Sequence, residues 1–206
     1  MRPDLERHGG QDPEHHDHAV TALRIERLDP SDYRHTPWKN GGGVTVDIVL
    51  VTDKDAEVWR FGRTPIVQSG PFSDYSGFDR VQVLVAGSGL VLKTPDGEID
   101  VREPFRPVRF AGETPIVSRL EAGPVEVVNL IGNRAKVKVD IKVLDEGRSL
   151  RLGPGTHVVY NPLGDSAFDI DGARHLLPSD HGLRLEAADG TVLAGRGGCL
   201  LVASIV

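Results

Sequence analysis

The sequence predicts an all-β protein, and three observations lead there. Apolar residues recur at every second position in short runs, the period of a half-buried strand. The 24 glycines and 14 prolines are spread along the chain and cut it into short elements joined by turns. No segment carries a convincing amphipathic helical stripe of about ten residues or more.

Taken in order, residues 1–20 (MRPDLERHGGQDPEHHDHAV) form a polar tail with His8, His15, His16 and His18 and almost nothing to bury, and they are expected to be disordered. Metal binding by those imidazoles is expected to be adventitious. Strands are predicted over 22–28, 44–50 and 57–63. In the second, Val44, Val46, Ile48 and Leu50 share one face and Thr45 and Asp47 the other. In the third, Trp59 and Phe61 oppose Arg60. Strands over 81–86 and 90–93 flank Gly87-Ser88-Gly89, which reads as a tight hairpin, and Thr94-Pro95-Asp96-Gly97 is a turn signal. Further strands are expected over 116–120 and 125–131. The cleanest alternation is 136–143, with Val137, Val139, Ile141 and Val143 inward and Lys136, Lys138, Asp140 and Lys142 outward. A second, shorter set follows at 156–160, 168–170, 183–187 and 199–205, with a turn at Asp189-Gly190. Short strands at this spacing imply a sandwich or barrel. A boundary near 144–149 would divide the chain into the tail, a first barrel over 21–143 and a smaller one over 144–206 packed against it.

Composition narrows the function. A net charge of -6 without a dense basic patch argues against nucleic acid. No apolar run approaches the roughly 20 residues of a membrane span, and the first 20 residues lack the apolar segment of a signal peptide. Cys199, the single cysteine, sits in an apolar strand and reads as a small buried hydrophobe. A cytoplasmic protein is expected.

Four segments stand out. Pro37-Trp38-Lys39-Asn40-Gly41-Gly42-Gly43 places an aromatic, a cation and an amide beside three glycines, suited to close approach of a ligand or to a bulged bend before the next strand. Trp59-Arg60 offers a guanidinium that fits a carboxylate in a barrel mouth or stacks on the indole in solvent. Gly70-Pro71-Phe72-Ser73 leads to Gly77-Phe78-Asp79-Arg80, an ion pair or a pocket wall. Asn129 is an amide inside an apolar run and needs partners if it points inward.

These segments resemble, in the same order, the HutD/Ves family: Pro37 to Thr45, Trp59-Arg60, Gly70 to Ser73, Gly77 to Arg80 with Gly87-Ser88-Gly89, and Asn129-Leu130 with Arg134. The resemblance covers residues 22–140 most strongly. It implies a bicupin, two double-stranded β-helix (cupin) barrels, often a homodimer, linked to histidine utilisation or stress response and sensing a pathway intermediate rather than transforming it. Two departures stand out. Val127 and Val128 replace an acid and an aromatic before Asn129, and Gly62 and Thr64 replace a serine and an alanine after Arg60.

No cofactor is expected. Metal cupins present two or three histidines and a glutamate from neighbouring strands, whereas no histidine lies between His35 and His157. His157, His175 and His181 are too widely spaced to form a motif. No Gly-x-Ser-x-Gly elbow appears. The expected site therefore binds a small carboxylated molecule, such as formylglutamate or urocanate, through Trp38, Lys39, Asn40, Gly41, Thr45, Trp59, Arg60, Phe72, Ser73, Asp79, Arg80 and Asn129. In that expectation Arg60 clamps the carboxylate, Asn40 and Asn129 orient the rest, and Trp38 excludes water. The rival readings are a metal-independent isomerase, epimerase or hydrolase with Asp79 as base, and a structural or interaction module.

Overall fold

The computed structural model describes residues 22–38, 41–186 and 188–206. The histidine-rich tail, Lys39 and Asn40 lie outside the described residues. In chain order the strands are β1 (Arg24–Leu28), β2 (Arg34–Pro37), β3 (Val44–Asp53), β4 (Ala56–Ile66), β5 (Gly70–Pro71), β6 (Phe78–Ala86), β7 (Leu90–Thr94), β8 (Gly97–Val101), β9 (Val108–Ala111), β10 (Val117–Leu120) and β11 (Val125–Asn133). They continue as β12 (Val139–Asp145), β13 (Ser149–Arg151), β14 (Thr156–Tyr160), β15 (Ser166–Ile170), β16 (Ala173–Leu177), β17 (Gly182–Glu186), β18 (Val192–Gly197) and β19 (Cys199–Ile205). Helix among the described residues is one 3-10 turn, Pro30–Asp32, where the Asp29 side chain accepts from the Ser31 amide. No helix of the described residues is long and apolar enough to cross a membrane.

The strands form four antiparallel sheets. The six-stranded sheet has the order β2-β3-β4-β11-β6-β9 and faces the four-stranded β5-β10-β7-β8. The five-stranded sheet, β1-β17-β14-β19-β12, faces β13-β18-β15-β16. Period-two alternation explains the stacking, because the interior strands of the two larger sheets send apolar side chains both ways. Ile66, Leu84 and Val127 fill the first barrel with Leu90, Leu92 and Val101. Val159, Leu185 and Leu200 fill the second with Phe168, Ile170 and Leu193. The intervening positions, Trp59, Phe61, Val81, Val83, Val128 and Leu130 on one side and Ile141, Val158, Tyr160, Leu201 and Ala203 on the other, form a third apolar layer that joins the barrels.

Strand pairing divides the chain differently from the expected cut between 143 and 144. β12 pairs with β19 and belongs to the second barrel, so the crossover is the turn between Asn133 and Val139. β1, expected in the first barrel, pairs with β17 in the second. Gly87-Ser88-Gly89 is not a hairpin. β6 bonds β11 and β9, while β7 bonds β10 and β8, so this turn is a corner between two sheets. A Cβ on Gly87 would lie 2.6 Å from the Pro124 carbonyl, and one on Gly89 2.5 Å from Arg102 Cα. The glycines are there for that close packing. The Thr94–Gly97 turn does close a hairpin, between β7 and β8. The inward set Val137, Val139, Ile141 and Val143 packs as expected. In β3 a register irregularity after Asp47 sends both Ile48 and Val49 to the inter-barrel layer, ending the strict alternation there.

Candidate functional site

A cavity of about 60 Å³ opens on the inner face of the six-stranded sheet, at one end of the first barrel. A buried water needs about 10–15 Å³ by the same measure, so there is room for a carboxylate of a few heavy atoms. Alternation delivers the lining: Arg60, Gly62, Thr64 and Ile66 from β4, Arg80 and Gln82 from β6, Asn129 and Ile131 from β11, and Thr45 from β3. Phe72, Ser73 and Tyr75 close it from the segment after β5, and Trp38 from the end of β2. Trp38, Ile66 and Phe72 also border a second hollow of about 220 Å³ that reaches Gln68 and Ser118.

The turn after β2 positions Trp38. Its amide donates to the Gly43 carbonyl at 2.9 Å, and Gly41, at φ +71°, donates back to the Trp38 carbonyl at 3.0 Å. The indole lies against Gly43, where a Cβ would come within 3.0 Å of the ring. Trp38 Nε1 donates to Thr45 Oγ1 at 3.0 Å, and Thr45 and Thr64 share a hydrogen bond at 3.0 Å. Asn129 Nδ2 donates to Thr64 at 3.4 Å, while Asn129 Oδ1 accepts from Arg80 Nη2 at 3.3 Å and Gln82 Nε2 at 3.2 Å. One polar chain thus runs from the rim to the floor.

The two arginines differ in how their charge is met. Arg60 is bound by the buried Asp47 carboxylate, with Nε donating to Oδ1 at 3.0 Å and Nη2 to the same oxygen. Its Nη1 donates to the Tyr75 hydroxyl at 2.9 Å, and Thr36 donates to the other Asp47 oxygen at 2.6 Å. Burial works against the Arg60 charge, but the Asp47 bond and charge outweigh it and raise its pKa. Arg80 has no carboxylate partner among the described residues. Its guanidinium lies 5.0–5.6 Å from the ring centres of Phe110, Phe72 and Tyr75. Burial pushes its pKa down to about 10; Tyr75 opposes that shift and the Arg60 charge adds to it. The Arg80 Nε and Gln82 Oε1 atoms are buried without a hydrogen-bond partner among the described residues.

A family model described as HutD matches residues 30–202. The chain belongs to the HutD family. An uncharacterised 21.2 kDa protein in the hutC 3′ region of Pseudomonas putida is 32% identical over 139 residues, 66% of this chain and 73% of that protein. The HutD structure from Pseudomonas fluorescens SBW25 shares 26% identity with a TM-score of 0.74, covering 89% of this chain and all of that one. A single-substitution variant of oxalate decarboxylase from Bacillus subtilis, at 11% identity and TM-score 0.55, covers 90% of this chain and 77% of its own and shares the fold alone. The chain accordingly has a bicupin fold.

Of the residues expected at the site, the cavity gathers Trp38, Thr45, Arg60, Phe72, Ser73, Arg80 and Asn129. Gly41 shapes the turn that carries Trp38 without lining the cavity. Two expectations fail on alternation. Trp59, next to Arg60, faces the inter-barrel layer, where Arg184 stacks 5.8 Å from its ring centre. Asp79, next to Arg80, points out of the barrel and accepts from Arg134 Nε at 2.8 Å, so it is not placed as a base for the cavity. Arg60, expected as the clamp, lines the cavity but already has a carboxylate partner in Asp47. Gln82, Thr64, Tyr75 and Asp47 were not expected. Gln82 carried the same signal as Asn129, an amide inside an apolar run, and Asp47 the signal of an acid alternating inward with Thr45. Gly62, one of the two departures after Arg60, stands beside Asp47, and a Cβ there would come within 2.7 Å of the Val46 carbonyl. Thr64, the second of those two, lines the cavity, and Val127, the inward one of the pair before Asn129, is buried among apolar neighbours.

Elsewhere in the chain, His157 is bonded to Ser204 Oγ and the Gly153 carbonyl, and His175 packs on Phe168. No three His, Cys, Asp or Glu side chains converge among the described residues in a way that would hold a metal. Burial, with Asp145 adding, pushes the Cys199 thiol up to about 11, far from the range of a reactive thiolate.

Proposed function

We propose that the protein binds a small carboxylate in this cavity, through side chains rather than a metal, and that it senses such a metabolite in histidine utilisation. The observation that carries the reading is the charge of Arg80. An isolated buried cation is costly unless something pairs with it. Asp47 offsets Arg60, with Glu57 3.9 Å from it as well, whereas Arg80 has no carboxylate partner among the described residues, so its positive charge remains to be met by an anion. Stacking on three rings supports the guanidinium from its faces and leaves its edge for bidentate contact with a carboxylate. The link to histidine utilisation is supported by family membership and by the name of the Pseudomonas putida relative, which puts that protein beside hutC.

The rival reading as an enzyme loses its intended base with Asp79 on the surface. Asp47, the acid behind Arg60, is held by Thr36 and Arg60 and does not line the cavity. The test is a thermal-shift titration of the full chain with small carboxylic acids, with EDTA present. The wild type is expected to be stabilised in a concentration-dependent way, by about 2.7 kcal/mol at a hundredfold excess over Kd. The R80M variant is expected to show no shift. A shift that survives in R80M, or none with any acid in the wild type, overturns the reading.

A further inference from the structure

Asn129 fixes the orientation of two side chains that face the cavity. A guanidinium can only donate, so the Asn129 atom 3.3 Å from Arg80 Nη2 is the carbonyl Oδ1. The Gln82 atom 3.2 Å from that oxygen must then also be a donor, Nε2. The remaining Asn129 nitrogen is occupied by Thr64. With its nitrogen so committed, Gln82 presents Oε1 as a buried acceptor with no hydrogen-bond partner among the described residues, and Arg80 presents Nε as a buried donor in the same condition. Gln82 is 0% exposed and Arg80 8%, and both line the cavity. They stand two residues apart on β6 and therefore on one face.

We infer that Gln82 determines specificity, its Oε1 accepting a hydrogen bond from an O–H or N–H that the ligand carries close to its carboxylate. This rests on the carboxylate reading above, with Arg80 holding the anion, and adds the second half of the recognition. A plain carboxylate brings only acceptors and leaves Oε1 unmatched. A 2-oxo acid sets oxygen against oxygen. A 2-hydroxy acid, or another small acid with a donor beside the carboxylate, satisfies both orphaned atoms at once. Buried polar groups left unpaired are what allow a site to reject an analogue lacking one hydrogen-bonding group.

Isothermal titration calorimetry of the full chain with lactate (both enantiomers), propionate and pyruvate tests this. The wild type is expected to bind lactate about tenfold more tightly than propionate, the worth of one neutral hydrogen bond, and pyruvate no better than propionate. Q82M keeps the side-chain length and removes the acceptor. It is expected to reduce the lactate advantage to within about twofold and to leave propionate unchanged. Equal binding of lactate and propionate by the wild type, or a lactate advantage that persists in Q82M, overturns the role of Gln82 and leaves the carboxylate reading standing. Failure of every acid to bind the wild type overturns that reading and this one with it. Should Q82M fail to fold by circular dichroism, the wild-type order still decides, since pyruvate above lactate excludes an acceptor at that position.

Discussion

Arg60 and Arg80 lie two strands apart, each opposite Ile131, and bear opposite energetic relations to the fold. Arg60 and Asp47 form a buried pair, and removing one partner strands the other charge. D47N is therefore expected to cost about 3–5 kcal/mol in chemical denaturation. Arg80 costs the unliganded protein stability, so R80M is expected to leave the melting temperature unchanged or raise it while weakening carboxylate binding at least about thirtyfold, consistent with the roughly 2–5 kcal/mol of a truncated buried charge contact. The pH dependence follows from the direction of the Arg80 shift. Its folded-state pKa is depressed, so its destabilising contribution is fully present at neutral pH and is relieved only as pH rises past about 10. The same deprotonation removes the anion's partner. Carboxylate affinity is thus expected to be insensitive to Arg80 titration between pH 6 and about 9 and to fall above about 10, as measured by calorimetry across that range. At this scale the sequence made Arg60, Arg80 and Asn129 legible, but it did not show which arginine is neutralised. Asp47 is 13 residues from Arg60 and meets it only because β3 and β4 pair. Trp59 and Asp79 were misplaced for a simpler reason, since strand neighbours face opposite ways.

Strands and turns set how accurately the cavity wall is built. Gly62 and Gly43 each occupy a spot where a methyl group meets a neighbour. At Gly62 that neighbour is backbone, and G62A is expected to destabilise the fold by about 1–3 kcal/mol and to displace Asp47. At Gly43 it is the Trp38 ring, and G43A is expected to weaken ligand affinity severalfold with little change in melting temperature. Most interior strands were legible because burial on both faces forces apolar runs or clean alternation. Strands β2, β5, β8, β9, β13, β16 and β18 were not predicted; the interior β18 is interrupted by Gly195, and the other six are sheet edges. Their exposed, often charged residues, such as Arg34 and Glu98, blur the pattern while discouraging pairing with other chains. The corner at Gly87–Gly89 carries the composition of a hairpin turn, and only the partners of β6 and β7 tell the two apart.

Across the whole molecule, the apolar layer shared by the two barrels is expected to couple their unfolding. Trp59 sits within that layer and Trp38 at the cavity of the first barrel, so tryptophan fluorescence and the far-ultraviolet circular dichroism of the full chain are expected to report a single, coincident denaturation transition. Two separated transitions would mean that the barrels unfold independently. The domain boundary was illegible because β1 and β12 carry ordinary amphipathic patterns that fit either barrel; their membership is decided by long-range pairing alone. That pairing has a bearing on biosynthesis. Residues 24–28 leave the ribosome before the rest of this fold, yet their partner strand ends at Glu186, about 160 residues later. At about 5–20 residues per second, the first strand waits roughly 8–30 seconds with its edge unsatisfied. Nascent chains arrested before that point are expected to be cut by protease near Arg24 and Arg27, and full-length released chains to resist. The first strand of this fold to be synthesised is thus among the last of its parts to be finished.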